Sequence, residues 1–253
     1  MLQGKAGIVT GASRGMGSHF VDALVAQGAR VAALARPSAE LDALASKHGD
    51  KLKAFACDVS DPAEVSRAVD ASAAAFGRLD FLINNAAIFH PFKLDEATDS
   101  QIAGHVGVNL LGPMWCMRAA IPHLRQTKGH IISISSESVR MPYPFLSVYA
   151  ATKGGLEVLS AAMREELRED DIRVTVLRSG SVEGGSGGRE WDPVVAQRFF
   201  ETITRTGHAA FSGQPARPRS MAQALIRVLT LPADVNVDLI EVRGAHTGTP
   251  VRE

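Results

Sequence analysis

Cysteine and aromatic residues are scarce in this sequence, and neither sign of charge is in excess. The two cysteines among its 253 residues, Cys57 and Cys116, are too few for a disulfide framework and lack metal-ligand spacing, so we expect a reducing, cytoplasmic location. The histidines are scattered, without His-Glu-x-x-His or similar spacing, and no metal is predicted.

Long apolar runs and blocks of charge are missing as well. The apolar run near the N-terminus is too short for a signal peptide or a membrane span. The 27 basic residues are matched by 27 acidic ones without a basic block, which removes the reason to expect a nucleic acid or an anionic membrane as a partner. A small molecule remains the expected ligand.

Short apolar segments and amphipathic segments alternate along most of the chain. The apolar segments predict strands at residues 5–10, 29–35, 51–57, 79–83, 129–135, 172–177 and 235–242. The amphipathic segments predict helices at residues 15–28, 39–48, 62–76, 99–125, 147–169 and 221–231. Repeated βα units of this kind predict an α/β fold with a doubly wound parallel sheet and helices on both faces. Ligands of such a sheet bind at the carboxyl ends of its strands.

Regularity weakens between residues 179 and 219. No linker or internal repeat divides the chain, so we predict a single domain over residues 1–253 with a substrate lid at about residues 179–219. Within this insertion, Asp192 and Pro193 predict the start of a helix, whereas residues 206–219 are expected to be irregular. The phenylalanines of the insertion either close over a substrate or pack the lid onto the domain.

A glycine-rich segment follows the first predicted strand and reads Thr-Gly-Ala-Ser-Arg-Gly-Met-Gly at residues 10–17. Gly11 would allow a tight turn, Gly15 would let the backbone approach a pyrophosphate, and Gly17 would let the helix pack closely on the strand. The helix N-terminus would then offer free N–H groups to phosphates. The spacing Gly-x-x-x-Gly-x-Gly departs from the usual dinucleotide fingerprint, so an ordinary glycine-rich turn is the alternative.

Tyr149 and Lys153 lie one helical turn apart, on the same face of a predicted helix. Reduction of a carbonyl needs an acid at its oxygen, and oxidation of an alcohol needs a base there. A free tyrosine has a pKa of about 10, and a neighbouring ammonium would lower that pKa toward neutrality. Tyr149 is therefore the predicted acid/base. Ser136 would hold the substrate oxygen, with Ser135 and Ser138 as alternatives if the loop differs.

These motifs occur in the order and spacing of a known family. Further segments of the same kind are Cys-Asp-Val at residues 57–59, Asn-Asn-Ala-Ala at 84–87, Asn109, and Ser-Ile-Ser-Ser at 133–136. Over nearly its whole length the chain resembles the short-chain dehydrogenase/reductase family, of the compact single-domain type. The resemblance implies a Rossmann-like fold, a nicotinamide dinucleotide cofactor, and a homotetramer or homodimer. It selects Ser136, since the family places its serine thirteen positions before the tyrosine.

The same resemblance implies a catalytic set and a cofactor-binding set. Lys153 would also hydrogen-bond the nicotinamide ribose, and Asn109 would support a proton relay to Lys153 unless it only satisfies local backbone groups. The catalytic set is Ser136, Tyr149, Lys153 and Asn109. The cofactor-binding set is Gly11, Ser13, Arg14, Gly15, Met16, Gly17, Arg36, Asp58, Val59, Asn85, Ala86, Ala87, Tyr149, Lys153, Gly180 and Val182, with Asp58 and Val59 beside the adenine and Asn85 and Ala86 on the adenosine ribose side.

Charge favours one of the two nicotinamide cofactors. In the family an acidic residue at the end of the second strand usually holds the adenosine ribose, and this chain has Ala35 followed by Arg36 there. Arg14, in the glycine turn, faces the same region. Two guanidinium groups without a carboxylate suit a phosphate monoester, so NADP(H) is favoured over NAD(H). The alternative is that Arg36 is a solvated surface residue.

Two departures from the family pattern concern the cofactor site. Ala87 stands where relatives have glycine, a change that is tolerated if its φ is negative. After the sixth strand, residues 179–183 read Ser-Gly-Ser-Val-Glu in place of the usual Pro-Gly, and Ser181 or Ser186 would supply a hydroxyl that relatives take from threonine.

Together these residues predict an NADP(H)-dependent oxidoreductase that interconverts a secondary alcohol and a ketone. The aromatic lid favours a bulky or apolar substrate. One alternative is a dinucleotide-binding regulatory protein without turnover, which the altered turn after the sixth strand would suit. Another is a non-redox member of the family, an epimerase or a dehydratase. Replacement of Tyr149 by phenylalanine would be tolerated by a regulatory protein and not by a dehydrogenase.

Overall fold

The computed structural model describes residues 2–184 and 191–245. Within them, seven strands form one sheet in the order β3-β2-β1-β4-β5-β6-β7, and every pairing is parallel. The strands are β1 Ala6–Thr10, β2 Arg30–Ala35, β3 Leu52–Ala56, β4 Phe81–Asn84, β5 His130–Ser136, β6 Arg173–Ser179 and β7 Leu239–Val242. The order of the strands reverses between β1 and β4, which opens a crevice at their carboxyl ends. The predicted doubly wound parallel sheet is confirmed.

Helices cover both faces of this sheet. In the described residues they are α1 Gly15–Ala26, α2 Ala39–His48, α3 Pro62–Phe76, α4 Asp99–Val106, α5 Gly112–Arg125, α6 Ser147–Glu166, α7 Pro193–Arg205, α8 His208–Ser212 and α9 Pro218–Leu229. One core lies under α1, α2 and α9, where Phe20, Leu44 and Leu225 are buried against the sheet. The other lies under α3, α5 and α6 and includes Met117 and Leu156. None of the helices described is both long and apolar enough to cross a membrane.

Local sequence signals fix the ends of several helices. The Asp61 carboxylate accepts hydrogen bonds from the amides of Ala63 and Glu64, at 2.7 and 3.0 Å, and Pro62 occupies the first turn of α3. Asp192 caps α7 in the same way, again before a proline. The side chain satisfies amides that have no partner within the helix, and proline has no amide to satisfy. Both predicted helix starts are confirmed.

The predicted helix at residues 99–125 is interrupted. It consists of α4 and α5 joined by a single π-helical stretch, Gly107–Leu111, which carries Asn109. A π turn inserts one extra residue into the helical repeat and is common at functional sites. A hydrophobic period of 3.6 residues does not reveal such an insertion, because the apolar positions on either side still match a helix.

The segment at residues 206–219 is more regular than predicted. It contains α8, bounded by Gly207 and Gly213, and α9 already begins at Pro218, whose fixed φ suits the first turn of a helix. Strand β7 in turn starts at Leu239 rather than at residue 235. The amide of Val235 closes a turn onto the carbonyl of Pro232, so this part of the chain does not pair with β6.

Candidate active site

A cavity of about 990 Å³ opens at the carboxyl end of the sheet. Residues at or just after the ends of six strands line it, which are Gly11 after β1, Ala35 of β2, Cys57 after β3, Asn85 after β4, Ser136 of β5 and Ser179 of β6. It extends from Arg36 and Ser38 at one end to Tyr149 and helices α7 and α8 at the other. This elongated shape matches a dinucleotide with a substrate beside it.

The glycine turn forms one wall of the cavity through Gly11, Ser13, Arg14, Gly15 and Met16. Gly11 has a φ of +62°, and a Cβ there would lie 2.7 Å from the Cα of Ala86. Gly17 does not line the cavity; a Cβ at this position would lie 2.1 Å from the carbonyl oxygen of Gly11. The turn therefore needs glycine for a left-handed backbone at one position and for close helix packing at the other.

Thr10 and Asn85 join the glycine turn to the segment after β4. The Asn85 side chain donates to the carbonyls of Thr10 and Gly11, at 2.9 and 3.2 Å. The amides of Asn85 and Ala86 both donate to Thr10 Oγ1 at 3.0 Å. Asn85 thus supports the turn through its side chain while it lines the cavity with Ala86 and Ala87. Ala87 is not among the described non-glycine residues with positive φ, so its methyl group causes no strain.

Arginine and a carboxylate meet at the far end of the cavity. Arg14, Arg36, Ser38 and Glu40 all line it there, and Arg36 is exposed. The expectation that this end has no carboxylate is wrong, because the first turn of α2 brings Glu40 to it. Ser38 caps α2 by accepting from the amide of Leu41 at 3.2 Å. In the sequence, Ser38 can be recognised as a helix cap because it is a serine directly before a predicted helix that follows a strand.

Asp58 and Val59 line the cavity between that end and the glycine turn, after β3. The Asp58 carboxylate accepts from the amide and the hydroxyl of Ser60, at 2.8 and 2.6 Å. These bonds turn the chain toward α3 and hold the carboxylate at the rim of the cavity. Among the described residues, no group of three or more His, Cys, Asp and Glu side chains is arranged to hold a metal.

Ser136, Tyr149 and Lys153 meet in the middle of the cavity. Ser136 ends β5, and α6 begins at Ser147, so that Tyr149 and Lys153 stand one turn apart on the side facing the sheet. The Ser136 side chain lies close enough to the Tyr149 phenol to favour its ionised form. The Lys153 Nζ atom lies 5.8 Å from the centroid of the Tyr149 ring.

Burial dominates the protonation of both groups. It raises the pKa of Tyr149 to about 12, although Ser136 acts in the opposite direction. It lowers the pKa of Lys153 to about 8. We predicted that Lys153 lowers the pKa of Tyr149. In the protein without a bound cofactor, this pKa is raised instead. Lys153 donates to the carbonyl of Ile134 at 2.8 Å, and its other two N–H donors have no partner among the described residues.

The neighbouring serines have different surroundings. Ser135 donates to Glu157 at 2.6 Å, and Glu157 also holds the Arg178 guanidinium, so this hydroxyl belongs to an ion-pair network under α6. The Ser138 amide donates to Ser136 Oγ at 3.2 Å, while its own buried hydroxyl has no hydrogen-bond partner in the part of the chain described. Of the three serines, Ser136 is the one that acts on the pKa of Tyr149.

Asn109 is fully buried and does not line the cavity. Its side-chain amide donates to the carbonyl of Ile88 and accepts from the amide of the same residue, at 2.9 and 2.8 Å. It also donates to Thr152 Oγ1 at 3.3 Å, and that hydroxyl donates to the carbonyl of Tyr149 at 2.7 Å. Asn109 thus supports the first turn of α6 from the side that faces away from the cavity.

Aromatic side chains close the substrate end. The Phe89 ring stands edge-on to Tyr149 with centroids 4.9 Å apart, and Trp191 lies 5.2 Å from Phe89 on its other side. The Trp191 indole donates to the carbonyl of Phe89 at 2.7 Å, which ties the residues just before α7 to the segment after β4. Phe199 and Phe200 of α7 line the cavity as well.

A polar side chain, Glu137, lines the same cavity as these aromatic rings. Glu137, directly after Ser136, is buried and accepts from Ser212 of α8 and from Tyr143, at 2.6 and 3.3 Å. The sequence itself places this carboxylate directly after the predicted catalytic serine, Ser136. Its partners could not be found in the same way, because they come from distant parts of the chain.

The turn after β6 keeps the backbone close to the cavity without the proline of the family pattern. Gly180, Ser181 and Val182 line the cavity, and the Gly180 amide donates to the carbonyl of Val242 at 2.9 Å. Val182 forms an isolated parallel bridge with Ala216. Ser181 therefore remains available to replace the missing hydroxyl, whereas Ser186 lies outside the described residues.

Comparison with known proteins agrees with this geometry. The family model described as short chain dehydrogenase matches residues 5–192. An oxidoreductase of Botryotinia fuckeliana is 30% identical over 227 residues, covering 87% of this chain and 83% of that protein. A solved 3-ketoacyl-(acyl-carrier-protein) reductase from Brucella melitensis, complexed with NADH, is 28% identical with a TM-score of 0.82, over 97% of this chain and 99% of that one. A metagenomic short-chain oxidoreductase in complex with NADP is also 28% identical, with a TM-score of 0.78 over 96% and 99%.

The fold and the cavity define a nucleotide-binding oxidoreductase of the doubly wound α/β class. The chain belongs to the short-chain dehydrogenase family, as its motifs predicted. Members of this family use NAD(P)(H) and typically interconvert CH–OH and C=O groups.

Proposed function

We propose that this protein is an NADP(H)-dependent oxidoreductase that interconverts a secondary alcohol and a ketone, with a bulky or apolar substrate. The observation that carries the proposal is the convergence of Ser136, Tyr149 and Lys153 in one cavity. When bound, the nicotinamide supplies or accepts the hydride. The residues of the chain have to hold the substrate oxygen and move one proton at that oxygen.

The cavity fits such a cofactor. The glycine turn leaves room for a pyrophosphate at the start of α1, where backbone N–H groups and the helix dipole favour an anion. Lys153 retains two donors without a described partner, enough to bind the hydroxyls of a ribose. The implied set of cofactor residues lines the cavity except for Gly17, whose role is to let α1 approach the turn.

Each catalytic residue has one task in this proposal. Ser136 holds the substrate oxygen through its hydroxyl, and Tyr149 donates a proton to that oxygen in reduction or removes it in oxidation. The Lys153 ammonium and the positive charge of an oxidised nicotinamide would both favour phenolate and bring the high pKa of Tyr149 down to a working range. Asn109 positions the first turn of α6 through Thr152.

The preference for NADP(H) rests on Arg14 and Arg36 at the adenosine end of the cavity. A 2′-phosphate there would receive charge-assisted hydrogen bonds from guanidinium groups, and Ser38 adds a hydroxyl at the start of α2. Glu40 opposes this preference through its charge. We infer that two guanidinium groups outweigh one carboxylate at a rim open to solvent.

The substrate class follows from the lid, which we assign to about residues 179–219. Rings from Phe89, Trp191 and Phe199 form one side of the space over Tyr149. Such a wall favours a bulky apolar body next to the carbonyl, because burial of apolar surface stabilises the complex by about 25 cal/mol per Å².

Two broader expectations belong to the same proposal. A cytoplasmic location follows from the two unpaired, buried cysteines, which do not need an oxidising compartment. We expect a homotetramer or homodimer to assemble through its long helices, as relatives do. One of these helices is α6, where Val158 is 72% exposed. Light scattering of the purified protein measures the assembly directly.

The experiment for this proposal follows NADPH absorbance with purified protein and a panel of ketones, from small 3-oxoacyl esters to bulky cyclic ketones. NADH serves as the matched cofactor. Turnover with NADPH and a bulky ketone is expected. Tight cofactor binding without turnover on any ketone would contradict the proposal and favour a non-redox reaction or a regulatory role.

A further inference from the structure

A buried ion pair lies directly behind the proposed catalytic serine. The Glu137 carboxylate is 3.2 Å from the Arg243 guanidinium, and the two side chains are only 7% and 18% exposed. The other oxygen of Glu137 accepts from Ser212 and Tyr143. Removing Arg243 would leave the buried Glu137 carboxylate with these two hydroxyl donors and without a balancing positive charge.

Arg243 joins three separate elements at this point. It follows β7, contacts Glu137 after β5, and donates to the carbonyl of Phe211 in α8. Its guanidinium also stacks on the Phe211 ring, 4.3 Å from the centroid. The charge that balances Glu137 therefore also holds α8 of the lid over the substrate end of the cavity.

Few other charges face the acid/base from the surrounding elements. Lys153 approaches Tyr149 from α6, and Glu137 approaches it from the end of β5. The lid contributes aromatic and hydroxyl groups, together with His208, whose ring lies 5.2 Å from that of Tyr143. Arg140 stacks on Phe211 at 4.9 Å but pairs with Glu241 at 3.5 Å instead of Glu137. In the described part of the chain, the side chain that forms an ion pair with Glu137 is therefore Arg243.

We infer that Arg243 is a positioning residue of this active site, which acts through Glu137. Its guanidinium neutralises the carboxylate beside Ser136 and Tyr149, so that the phenol ionises next to a balanced pair and not next to a free negative charge. This inference rests on the proposed function, since it assigns Arg243 to the control of Tyr149 as acid/base.

The direction of the effect follows from the charges. Besides burial, the negative charge of Glu137 raises the pKa of Tyr149. Without Arg243 the Glu137 carboxylate would lose the cation that pairs with it, so its repulsion of a Tyr149 phenolate would act in full. Loss of Arg243 should therefore make the Tyr149 phenolate harder to form.

The first test is the pH profile of kcat/KM for alcohol oxidation with NADP⁺. Arg243→Met should shift the rising limb upward by about one pH unit, so that kcat/KM at a fixed pH below the limb falls about tenfold. Glu137→Gln combined with Arg243→Met should return the limb to its original pH. Arg243→Lys, which keeps the charge, should stay close to the wild-type profile.

Arg140→Met is the matched control for lid packing. It removes the other guanidinium that stacks on Phe211 and leaves the Glu137–Arg243 pair in place. It should raise KM without moving the limb. If Arg243→Met changes KM in the same way and leaves the limb where it is, Arg243 only packs the lid and the inference is wrong.

A second measurement does not depend on turnover. Tyr143 and Tyr149 are the two tyrosines of the sequence, so a Tyr143→Phe background leaves Tyr149 alone. Fluorine NMR of biosynthetically incorporated 3-fluorotyrosine, a more acidic phenol, then follows its ionisation directly. Arg243→Met should raise the midpoint by about one pH unit. Equal midpoints would overturn the inference, whereas a shifted midpoint in a protein that reduces no ketone would contradict only the proposed function.

Discussion

The side chain of Asn109 pairs with the backbone of Ile88 as one strand pairs with another. Its amide donates to the Ile88 carbonyl at 2.9 Å, and its carbonyl accepts from the Ile88 amide at 2.8 Å. Ile88 lines the cavity after β4, whereas Asn109 lies in the π turn between α4 and α5. Asn109 is fully buried and Ile88 is half-buried, so this pair holds the wall of the cavity to the helical layer behind it.

Asn109→Ala should therefore affect stability and activity together. Loss of the side chain leaves the Ile88 amide and carbonyl without partners, which costs about 2 kcal/mol of the free energy of unfolding. Turnover should fall because the first turn of α6, which carries Tyr149, loses support through Thr152. Urea denaturation and kcat measure the two effects. Unchanged stability with unchanged kcat would contradict this role for the π turn.

Asp80 makes the stability of the fold dependent on acid. Burial alone would raise the pKa of its carboxyl, but hydrogen bonds from Arg78, the Ala6 amide and Lys5 outweigh burial and hold that pKa below its ordinary value. A carboxyl whose pKa is depressed in the folded state stabilises that state above its unfolded pKa. The stabilisation is lost as the pH falls through the folded pKa.

Asp80→Asn should accordingly cost about 2 kcal/mol at neutral pH, since hydrogen bonds to a buried charge are lost. The difference between wild type and variant should shrink as the pH drops below about 4, where the unfolded wild-type carboxyl begins to bind a proton, and should be lost as the pH passes the lowered pKa of the folded state. Urea denaturation at several pH values measures this difference. Asp50→Asn, at an exposed aspartate, is the matched control and should change little. A difference independent of pH would refute the electrostatic explanation.

Arg36 should decide between the two nicotinamide cofactors. Arg36→Ala removes a guanidinium from the adenosine end of the cavity, so the Kd for NADPH should rise about tenfold or more while that for NADH stays nearly constant. Arg67→Ala is the control, because this exposed arginine of α3 does not line the cavity. Titration of cofactor fluorescence measures both constants. Equal losses for both cofactors would contradict a contact with the 2′-phosphate.

Trp191 should set the fit of large substrates. Trp191→Phe keeps a ring beside Phe89 but loses the hydrogen bond to its carbonyl, worth about 1 kcal/mol. We expect KM for a bulky ketone to rise about fivefold, with a smaller change in kcat. A small ketone is the internal control, since it would not reach the lid. Equal changes for both substrates would show that the variant disturbs Tyr149 itself.

Much of the fold could be predicted because its signals are local. Asp61 with Pro62 and Asp192 with Pro193 mark helix starts through hydrogen bonds within three residues, and the apolar strands contain their own pattern. Helix α8 was missed for the opposite reason. It has only five residues between two glycines, and its stabilising contacts come from distant residues such as Pro142 and Arg243.

The candidate site also has a part that could be predicted from the sequence and a part that could not. Ser136, Tyr149 and Lys153 could be named from spacing, and one cavity contains all three. The pairing of Glu137 with Arg243 could not be read from the sequence, because it requires the end of β7 to lie beside the end of β5. The surroundings of Tyr149 were misjudged as well, since burial outweighs a single ammonium in the protein alone.

The most direct test of the central claim compares two tyrosine variants in the NADPH assay. Tyr149→Phe should lower kcat by about 100- to 10,000-fold while the Kd for NADPH stays within about twofold, because the phenol moves a proton and the ring keeps its place. Tyr143→Phe, which loses only a bond to Glu137, should keep most of the activity. Turnover that survives in Tyr149→Phe would contradict the assignment of Tyr149 as acid/base, and with it the proposed reaction.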